Sequence, residues 1–127
     1  MCLTLSELRA RVEEDEPIHP SEVTNRWDGW NADGTYSLSG TKHKMVTVDD
    51  IVGTAPHNVD RLNKTRLIKI LNKIIENNWK PKQDAVSLEQ HPNGELYVGT
   101  DGNHRVLAHK LLNIDQIYAK IAVYKQG

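Results

Sequence analysis

The residues with the clearest chemical potential are Asp101, Gly102, Asn103, His104 and Arg105, which end one apolar stretch and open another. Where a strand turns directly into a helix, the first amide N–H groups of the helix lack partners within it and attract anions. Gly102 allows close approach of the backbone, and Arg105 offers a planar guanidinium to phosphate oxygens. His104 can donate another hydrogen bond, and Asp101 can cap the helix or hold a divalent cation. The segment predicts a site for an anionic, phosphorylated ligand, although a simple capped turn would show the same features.

A second candidate feature is a concentration of basic residues between positions 57 and 83, where Asp60 and Glu76 are the acidic residues. The basic residues of this stretch are Arg61, Lys64, Arg66, Lys69, Lys73, Lys80 and Lys82. If this patch faces the Asp101 turn, the two would form a groove for a polyphosphate or a nucleic-acid backbone. The alternative is an ordinary solvated helix face.

Aromatic residues and carboxylates supply further candidates. Trp27, Trp30 and Tyr36 could stack on a base, or they could pack the N-terminal segment onto the rest of the protein. If a hydroxyl group is activated, Glu22, Asp28 and Asp101 are the available general bases, but their spacing favours none of them.

The histidines give no metal-site pattern. His43, His57 and His91 are scattered, and no pair has the helical spacing of a metal site. His109 follows Arg105 by one turn and is expected on the helix surface.

Composition describes an ordinary globular protein with no bulk affinity for polyanions. The 127 residues contain 16 Lys and Arg against 17 Asp and Glu, so nucleic acid cannot be bound by net charge alone. Cys2 is the single cysteine, which excludes an intramolecular disulfide and a zinc site built from thiolates. Because the sequence has neither an apolar run long enough for a membrane span nor a signal pattern, we expect a cytoplasmic protein without a membrane partner.

Three segments that could position these residues have helical patterns. Apolar residues between Leu3 and Val12 predict a short amphipathic helix, for which Thr4 or Ser6 could provide the N-cap. The longest periodic segment runs from Val59 to Trp79. The third helix is predicted from Asn103 to Leu112, directly after the Asp101-Gly102 turn.

Strand patterns alternate with these helices. Residues 45–48 predict a short strand, and residues 49–53 a turn of helix that ends at Gly53. Residues 85–88 and 95–99 predict a hairpin around Asn93-Gly94, and alternation from Ile117 to Val123 predicts a final half-buried strand.

Between Pro17 and Thr41 the pattern loosens, which indicates irregular structure or a hairpin with its tight turn at Asp33-Gly34. With the patterned segments, this gives an α+β protein: a small mixed sheet with flanking helices.

The segment from Tyr97 to Asp115, followed by the strand from Ile117 to Val123, closely resembles the hallmark segment of the ParB/sulfiredoxin superfamily. In that superfamily a strand leads into D-G-x-H-R or a close relative, then a helix, a short turn and a final strand. The resemblance extends upstream to Val46–Ile51, Leu67–Ile75 and Trp79-Lys80-Pro81. It implies a ParB/sulfiredoxin-like fold for residues 44–127, with residues 1–43 as an N-terminal extension, a helix plus an irregular segment or hairpin, packed on it.

The resemblance also assigns roles to residues. Members bind phosphates of nucleotides or nucleic acids with this turn, which implies a phosphate cradle formed by Gly102, Asn103, His104 and Arg105. It further implies Lys64 and Arg61 as additional phosphate contacts. If catalysis occurs, Asp101 and His104 would be the catalytic residues, and Asp101 would hold Mg²⁺ brought with a nucleotide such as ATP, ADP or CTP.

Related proteins have diverse activities, and fold alone does not choose among them. Sulfiredoxins place a nucleophilic cysteine immediately before the His-Arg pair, where this sequence has Asn103, so sulfinic-acid reduction is excluded. Chromosome-segregation members carry a helix-turn-helix region after this domain, and because the sequence ends at Gly127 we expect no centromere loading.

The leading expectation is a binding or regulatory module for a nucleotide or nucleic-acid phosphate, in a phage or bacterial accessory protein. The second hypothesis is a Mg²⁺-dependent phosphotransfer enzyme, a kinase or NTPase. The third is a DNA nuclease, which would need two or more carboxylate or histidine metal ligands, whereas only Asp101 is well placed. The identities of the nucleobase and of any second substrate stay open, as does the oligomeric state.

Overall fold

A computed structural model describes residues 3–30, 36–60, 62–80, 82–99 and 102–126, the side chain of His57 excepted. Within these residues the α-helices are α1 (Leu5–Glu13), α2 (Lys64–Ile75) and α3 (Asn103–Leu111). The strands are β1 (Asp28–Gly29), β2 (Tyr36–Thr47), β3 (Ile51–Thr54), β4 (Val86–Gln90), β5 (Leu96–Val98) and β6 (Gln116–Gln126). Short 3-10 turns cover Pro20–Glu22, Val48–Asp50 and Pro56–Asn58.

The strands form one mixed sheet in the order β1-β3-β5-β4-β6-β2. The pairs β1/β3, β3/β5 and β4/β6 are parallel, whereas β4/β5 and β2/β6 are antiparallel. The mixed α+β architecture predicted from the sequence is therefore confirmed. The predicted hairpin around Asn93-Gly94 is confirmed as well, with Leu88 opposite Val98.

Two apolar clusters hold the elements together. One lies between the sheet and the start of α3, where Val106 packs against Val86, Ile117 and Ile121. The other lies among the helices, where Leu8 of α1, Leu67 and Leu71 of α2 and Leu107 of α3 are fully buried. The helices therefore cover one face of the sheet. Packing of Val106 against Val86 on this face holds the start of α3 next to β4.

Side-chain caps determine where α1 and α2 begin. Thr4 accepts a hydrogen bond from the backbone N–H of Glu7, which confirms Thr4 as the cap of α1. Asn63 accepts from the backbone N–H of Arg66, so α2 begins at Lys64 and not at Val59. A helix usually begins after a residue that can accept such a bond, and Asn63 provides one.

The three helices end in the same way. Asp15, Asn77 and Asn113 each have a positive φ just after α1, α2 and α3, respectively. The Asn78 N–H then donates to the carbonyl of Lys73 at 3.0 Å, the closing bond of a Schellman motif. This motif ends α2 at Ile75, before the predicted end at Trp79. None of the helices in the described ranges is long and apolar enough to cross a membrane.

The strand predicted at residues 45–48 is much longer than its sequence indicates. β2 begins at Tyr36 and pairs with β6 along its length, so residues 36–41 are not irregular. The alternative prediction of a hairpin is also wrong for the described strands, because β1 pairs with β3 and not with β2. The correction has a physical reason: non-local pairing with β6 determines the conformation of a polar, exposed segment. The proposed boundary at residue 43 lies within this strand, and the predicted Asp33-Gly34 turn lies outside the described residues.

Gly53 was predicted to end a turn of helix, but it lies in the middle of β3. The 3-10 turn precedes it at Val48–Asp50. A Cβ atom on Gly53 would lie 1.8 Å from the carbonyl oxygen of Asp28, its partner on β1. Glycine is needed here because two strands approach closely and not because a helix ends.

Candidate functional site

Gly102 sets the start of α3 on the sheet. It is buried, has φ +126° and occupies the N-cap position without a side-chain cap. A Cβ atom at this position would lie 2.9 Å from two side-chain carbons of Val86 at the start of β4. Both the backbone conformation and the space therefore require glycine. The sequence predicted that Gly102 lets a ligand approach the backbone closely. In the structure, the group that lies close to Gly102 is Val86 of the sheet.

Asn103, the first residue of α3, is fixed by a contact from the sheet. The fully buried Thr54, at the end of β3, donates its hydroxyl to Oδ1 of Asn103 at 2.7 Å. Because Oδ1 accepts this bond, the side-chain NH₂ group of Asn103 points away from Thr54. The Asn103 side chain is thus a pre-positioned donor at the start of α3.

His104 connects α3 to the start of α2. Its Nε2 atom accepts a hydrogen bond from the backbone N–H of Asn63 at 2.9 Å. Asn63 is the N-cap of α2, and His104 lies in the first turn of α3. The N-termini of two helices therefore lie side by side, joined by one histidine.

The electrostatics of these two helix starts differ from those at α1. The first turn of α1 contains Glu7, and the 3-10 turn at Pro20–Glu22 contains Glu22. The first turns of α2 and α3 contain no acidic residue. Each helix N-terminus has a partial positive charge, so two adjacent N-termini repel each other unless an anion lies nearby. The two helix termini therefore each contribute a partial positive charge near the contact of Asn63 with His104.

The Arg105 guanidinium is directed at the sheet. Its Nη1 donates to the carbonyl oxygen of Ala85 at 3.2 Å, just before β4. Its positive charge also contributes to lowering the pKa of Asp84. At least one function of Arg105 is therefore to attach α3 to the segment that enters β4.

Asp84 is a buried carboxylate held by basic and backbone donors. Lys73 Nζ donates to its Oδ1 at 2.7 Å, and the Lys80 N–H donates to its Oδ2 at 2.8 Å. Burial alone raises the pKa of Asp84, but the hydrogen bonds from Lys73 and Lys80 and the charge of Arg105 outweigh burial and lower it. Lys73, a member of the basic patch, is thus paired with Asp84 although its own side chain is 44% exposed.

His109 is not a helix-surface residue as expected, because its side chain is only 3% exposed. Its ring packs edge-on against Trp79 with centroids 4.9 Å apart, and its Nδ1 lies 2.8 Å from the carbonyl oxygen of Arg105. Burial lowers the pKa of His109, and the hydrogen bond to Arg105 opposes this only in part. His109 is a neutral core residue.

Lys64 lies at the start of α2, as predicted, but its amino group contacts the segment after α1. Nζ donates to the carbonyl oxygen of Glu16 at 2.8 Å and lies 2.9 Å from Oδ1 of Asp15. The Lys64 side chain is 17% exposed. It therefore neutralises Asp15 and holds the end of α1 against α2. Arg61, the other expected phosphate contact, lies outside the described residues.

The expected general bases and aromatic residues have structural partners. Glu22 accepts from Arg11 at 2.7 Å, and Asp28 accepts from Arg26 at 2.7 Å. Trp27 packs against both apolar clusters. The rings of Trp30 and Tyr36 pack on His91 with centroid separations of 5.4 and 5.6 Å.

The Mg²⁺ ion expected with a nucleotide was assigned to Asp101, which lies outside the described residues. Among the residues that the structure describes, no three His, Cys, Asp or Glu side chains lie close enough to hold a metal ion.

The structure brings Gly102, Asn103, His104 and Arg105 together at one helix start, as their adjacency requires. The residue that sequence reasoning missed is Asn63, whose N–H contacts His104. Its preference for helix N-caps was a usable signal for the start of α2, but not for the contact. No protein-family model matches the sequence, and no curated protein matches it.

Proposed function

We propose that the adjoining N-termini of α2 and α3 bind a phosphate group of a nucleotide or nucleic acid, and that the protein acts as a binding or regulatory module. The observation that carries the proposal is the hydrogen bond from Asn63 N–H to His104 Nε2, which places two positive helix ends together. A shared phosphate would offset their repulsion and accept hydrogen bonds from first-turn donors.

The residues around this place support binding more than chemistry. The NH₂ group of Asn103 is oriented by Thr54, and the backbone at Gly102 is held over Val86. Glu22 and Asp28, the described candidates for activating a hydroxyl group, are each engaged by an arginine. The preorganised elements are donors, which suit recognition of an anion.

A thermal-shift panel tests the ligand class. ATP, ADP, CTP, inorganic phosphate and a short DNA would each be added with and without Mg²⁺. A ligand at about 100 times its dissociation constant should stabilise the folded protein by about 2.7 kcal/mol, because it binds only the folded state. The proposal is wrong if none of these ligands raises the melting temperature.

A charge placed in the first turn of α2 tests the location. In Thr65→Glu, the exposed Thr65 is replaced by an acid that interacts favourably with the helix dipole. This variant should melt slightly higher than the wild type yet bind phosphate more weakly, since the new carboxylate repels it. Asn72→Glu places the same charge on an exposed residue further along α2 and should leave affinity nearly unchanged. Equal weakening by both variants would reject the location.

A further inference from the structure

The face of the sheet opposite the helices has an unusual concentration of tyrosine. The chain has four tyrosines, and all of them lie on this outer face. Tyr118 and Tyr124 alternate with inward residues of β6 such as Ile117 and Ile121. Tyr36 pairs with Gln126, and it shares contacts on the His91 ring with Tyr97. The outer face thus presents aromatic surface, of which Tyr118 and Tyr124 are half-exposed.

One lysine and one histidine lie side by side on this face. β2 and β6 contain four lysines and no acidic residue, but the pairing register places only Lys120 on the tyrosine side, whereas Lys42, Lys44 and Lys125 lie on the other side of the sheet. His43 of β2 lies directly opposite Lys120 of β6, on the tyrosine side. Within the described residues, neither side chain has a salt bridge or a hydrogen bond. The acidic residues of the described strands on this face are Glu89 of β4 and Asp28 of β1, and Asp28 is paired with Arg26.

Edge protection does not account for Lys120. Lysines on an edge strand discourage pairing with other chains, and Lys42 and Lys44 lie on the edge strand β2. Lys120 instead lies on β6, which is paired on both sides by β2 and β4.

Between Lys120 and Tyr124 the outer face has a depression. Its lining includes the small residues Ala122, Ser87 and Gly99. Ser87 lies opposite Lys120, and Glu89 lies opposite Ala122 and adds a carboxylate to the lining. Leu38, which is 58% exposed, lines the side next to Tyr124. A flat ring could enter here against Tyr124 while a negatively charged group contacts Lys120.

We propose that this outer face binds single-stranded nucleic acid. One base stacks on Tyr124 in the depression, the adjoining phosphate contacts Lys120 and His43, and another base stacks on Tyr118. Tyr118 and Tyr124 are about 20 Å apart along β6, from a rise of roughly 3.4 Å per residue. Aromatic side chains on a sheet bind unpaired bases, whose faces are accessible only in single strands.

This surface is separate from the α2 and α3 N-termini, so the inference does not depend on the phosphate site proposed above. The experiment is fluorescence anisotropy with a labelled single-stranded oligonucleotide of about 16 nucleotides and mixed sequence. Tyr124→Ala should weaken binding about tenfold or more, the loss expected for one stacked base. Tyr124→Phe should retain most of the affinity because it keeps the ring.

Charge is tested with a matched pair of lysines. Lys120→Ala should weaken binding and reduce the slope of log K against log salt concentration by about 0.7, the value for one phosphate contact of a single strand. Lys69→Ala removes an exposed charge on α2, on the helix side, and should change neither quantity. Melting curves of every variant establish that each is folded.

Several results would overturn the proposal. It fails if no single strand binds at low salt, if Lys69→Ala weakens binding as much as Lys120→Ala, or if a duplex of the same sequence binds more tightly. Light scattering that shows a dimer dissociated by Tyr124→Ala would assign the face to a second copy of the chain instead. Thr65→Glu should leave oligonucleotide binding to this face intact, which keeps failure here distinct from failure at the helix termini.

Discussion

The Nε2 atom of His104 accepts a hydrogen bond from the backbone N–H of Asn63 at 2.9 Å, across 41 positions of the sequence. An accepting Nε2 leaves the ring proton on Nδ1, so this histidine is neutral in the observed arrangement. The histidine of α3 thereby satisfies one of the amide groups that a helix N-terminus leaves without partners. The two helix starts become one structural unit, and neither of their first turns contains an acidic residue.

Gly102→Ala should destabilise the protein by about 2 to 5 kcal/mol. Its φ of +126° costs a residue with a side chain about 1 to 3 kcal/mol, and a Cβ atom 2.9 Å from Val86 adds overpacking of similar size. Chemical denaturation measures the loss.

Two other glycines separate these causes. Gly94 has φ +88° with open space around it, so Gly94→Ala should show only the conformational cost. Gly40 has neither a positive φ nor a neighbour within 4 Å, and Gly40→Ala should be nearly neutral. If Gly102→Ala is no worse than Gly94→Ala, the contact with Val86 does not fix the start of α3.

Asp84→Asn should lower the free energy of unfolding at pH 7 by about 1 to 2 kcal/mol. A charge-assisted hydrogen bond contributes about 1.5 to 3 kcal/mol, and the 44% exposure of the Lys73 side chain reduces this. Asp84 has a lowered pKa when folded, so its contribution is present above the ordinary value of 3.8 and is lost as pH falls through the folded pKa. Denaturation curves at pH 7 and near pH 3 should therefore show a gap between wild type and variant that closes on acidification.

His109 should give the free energy of unfolding a second dependence on pH, caused by burial of a histidine. Its pKa is lowered by burial, so below 6.5 the unfolded chain binds a proton that the folded chain does not, and stability falls until the folded pKa is reached. His109→Phe keeps a ring against Trp79 and cannot be protonated. The variant should lose less stability than the wild type between pH 7 and pH 5, and equal losses would show that His109 stays accessible to protons.

Elements whose residue pattern is local could be predicted from the sequence, whereas contacts between distant segments could not. Helix α3, the β4/β5 hairpin and the inward residues of β6 carry their periodic patterns locally, so these elements were predicted. Strand β2 was mostly missed because its polar residues are ordered by pairing with β6. The segment around Gly102–Arg105 was singled out from its local sequence, but the contact of His104 with Asn63 could not be predicted, since nothing in either segment encodes a partner 41 positions away.

Lys64→Ala should reduce stability more than it reduces nucleotide affinity. Its amino group bonds to Glu16 and Asp15, and its side chain is mostly buried between α1 and α2. We expect a loss of about 1 kcal/mol, the typical net contribution of a hydrogen bond. Lys64→Met keeps the aliphatic chain and separates packing from charge. If Lys64→Ala instead lowers nucleotide affinity strongly and leaves the melting temperature unchanged, Lys64 contacts phosphate, as the sequence predicted.

Arg105 provides the sharpest test, because two interpretations of it predict opposite results. Its Nη1 donates to Ala85 and its charge lowers the pKa of Asp84, so Arg105→Ala should cost about 1.5 to 3 kcal/mol of stability, the range for a hydrogen bond from a charged group. If the guanidinium instead served only a ligand from a solvated position, the loss should stay below about 1 kcal/mol.

Arg105→Gln distinguishes a structural contact from a ligand contact within one variant. Glutamine keeps an NH₂ donor for the Ala85 carbonyl but removes the positive charge. If Arg105 only attaches α3 to β4, Arg105→Gln should recover part of the stability lost in Arg105→Ala and bind phosphate as the wild type does. If the charge also attracts phosphate, the same variant should be stable and bind about tenfold more weakly, a difference of about 1.4 kcal/mol. Melting temperature and phosphate affinity, measured on both variants, therefore decide whether Arg105 belongs to the binding site or only to the fold that supports it.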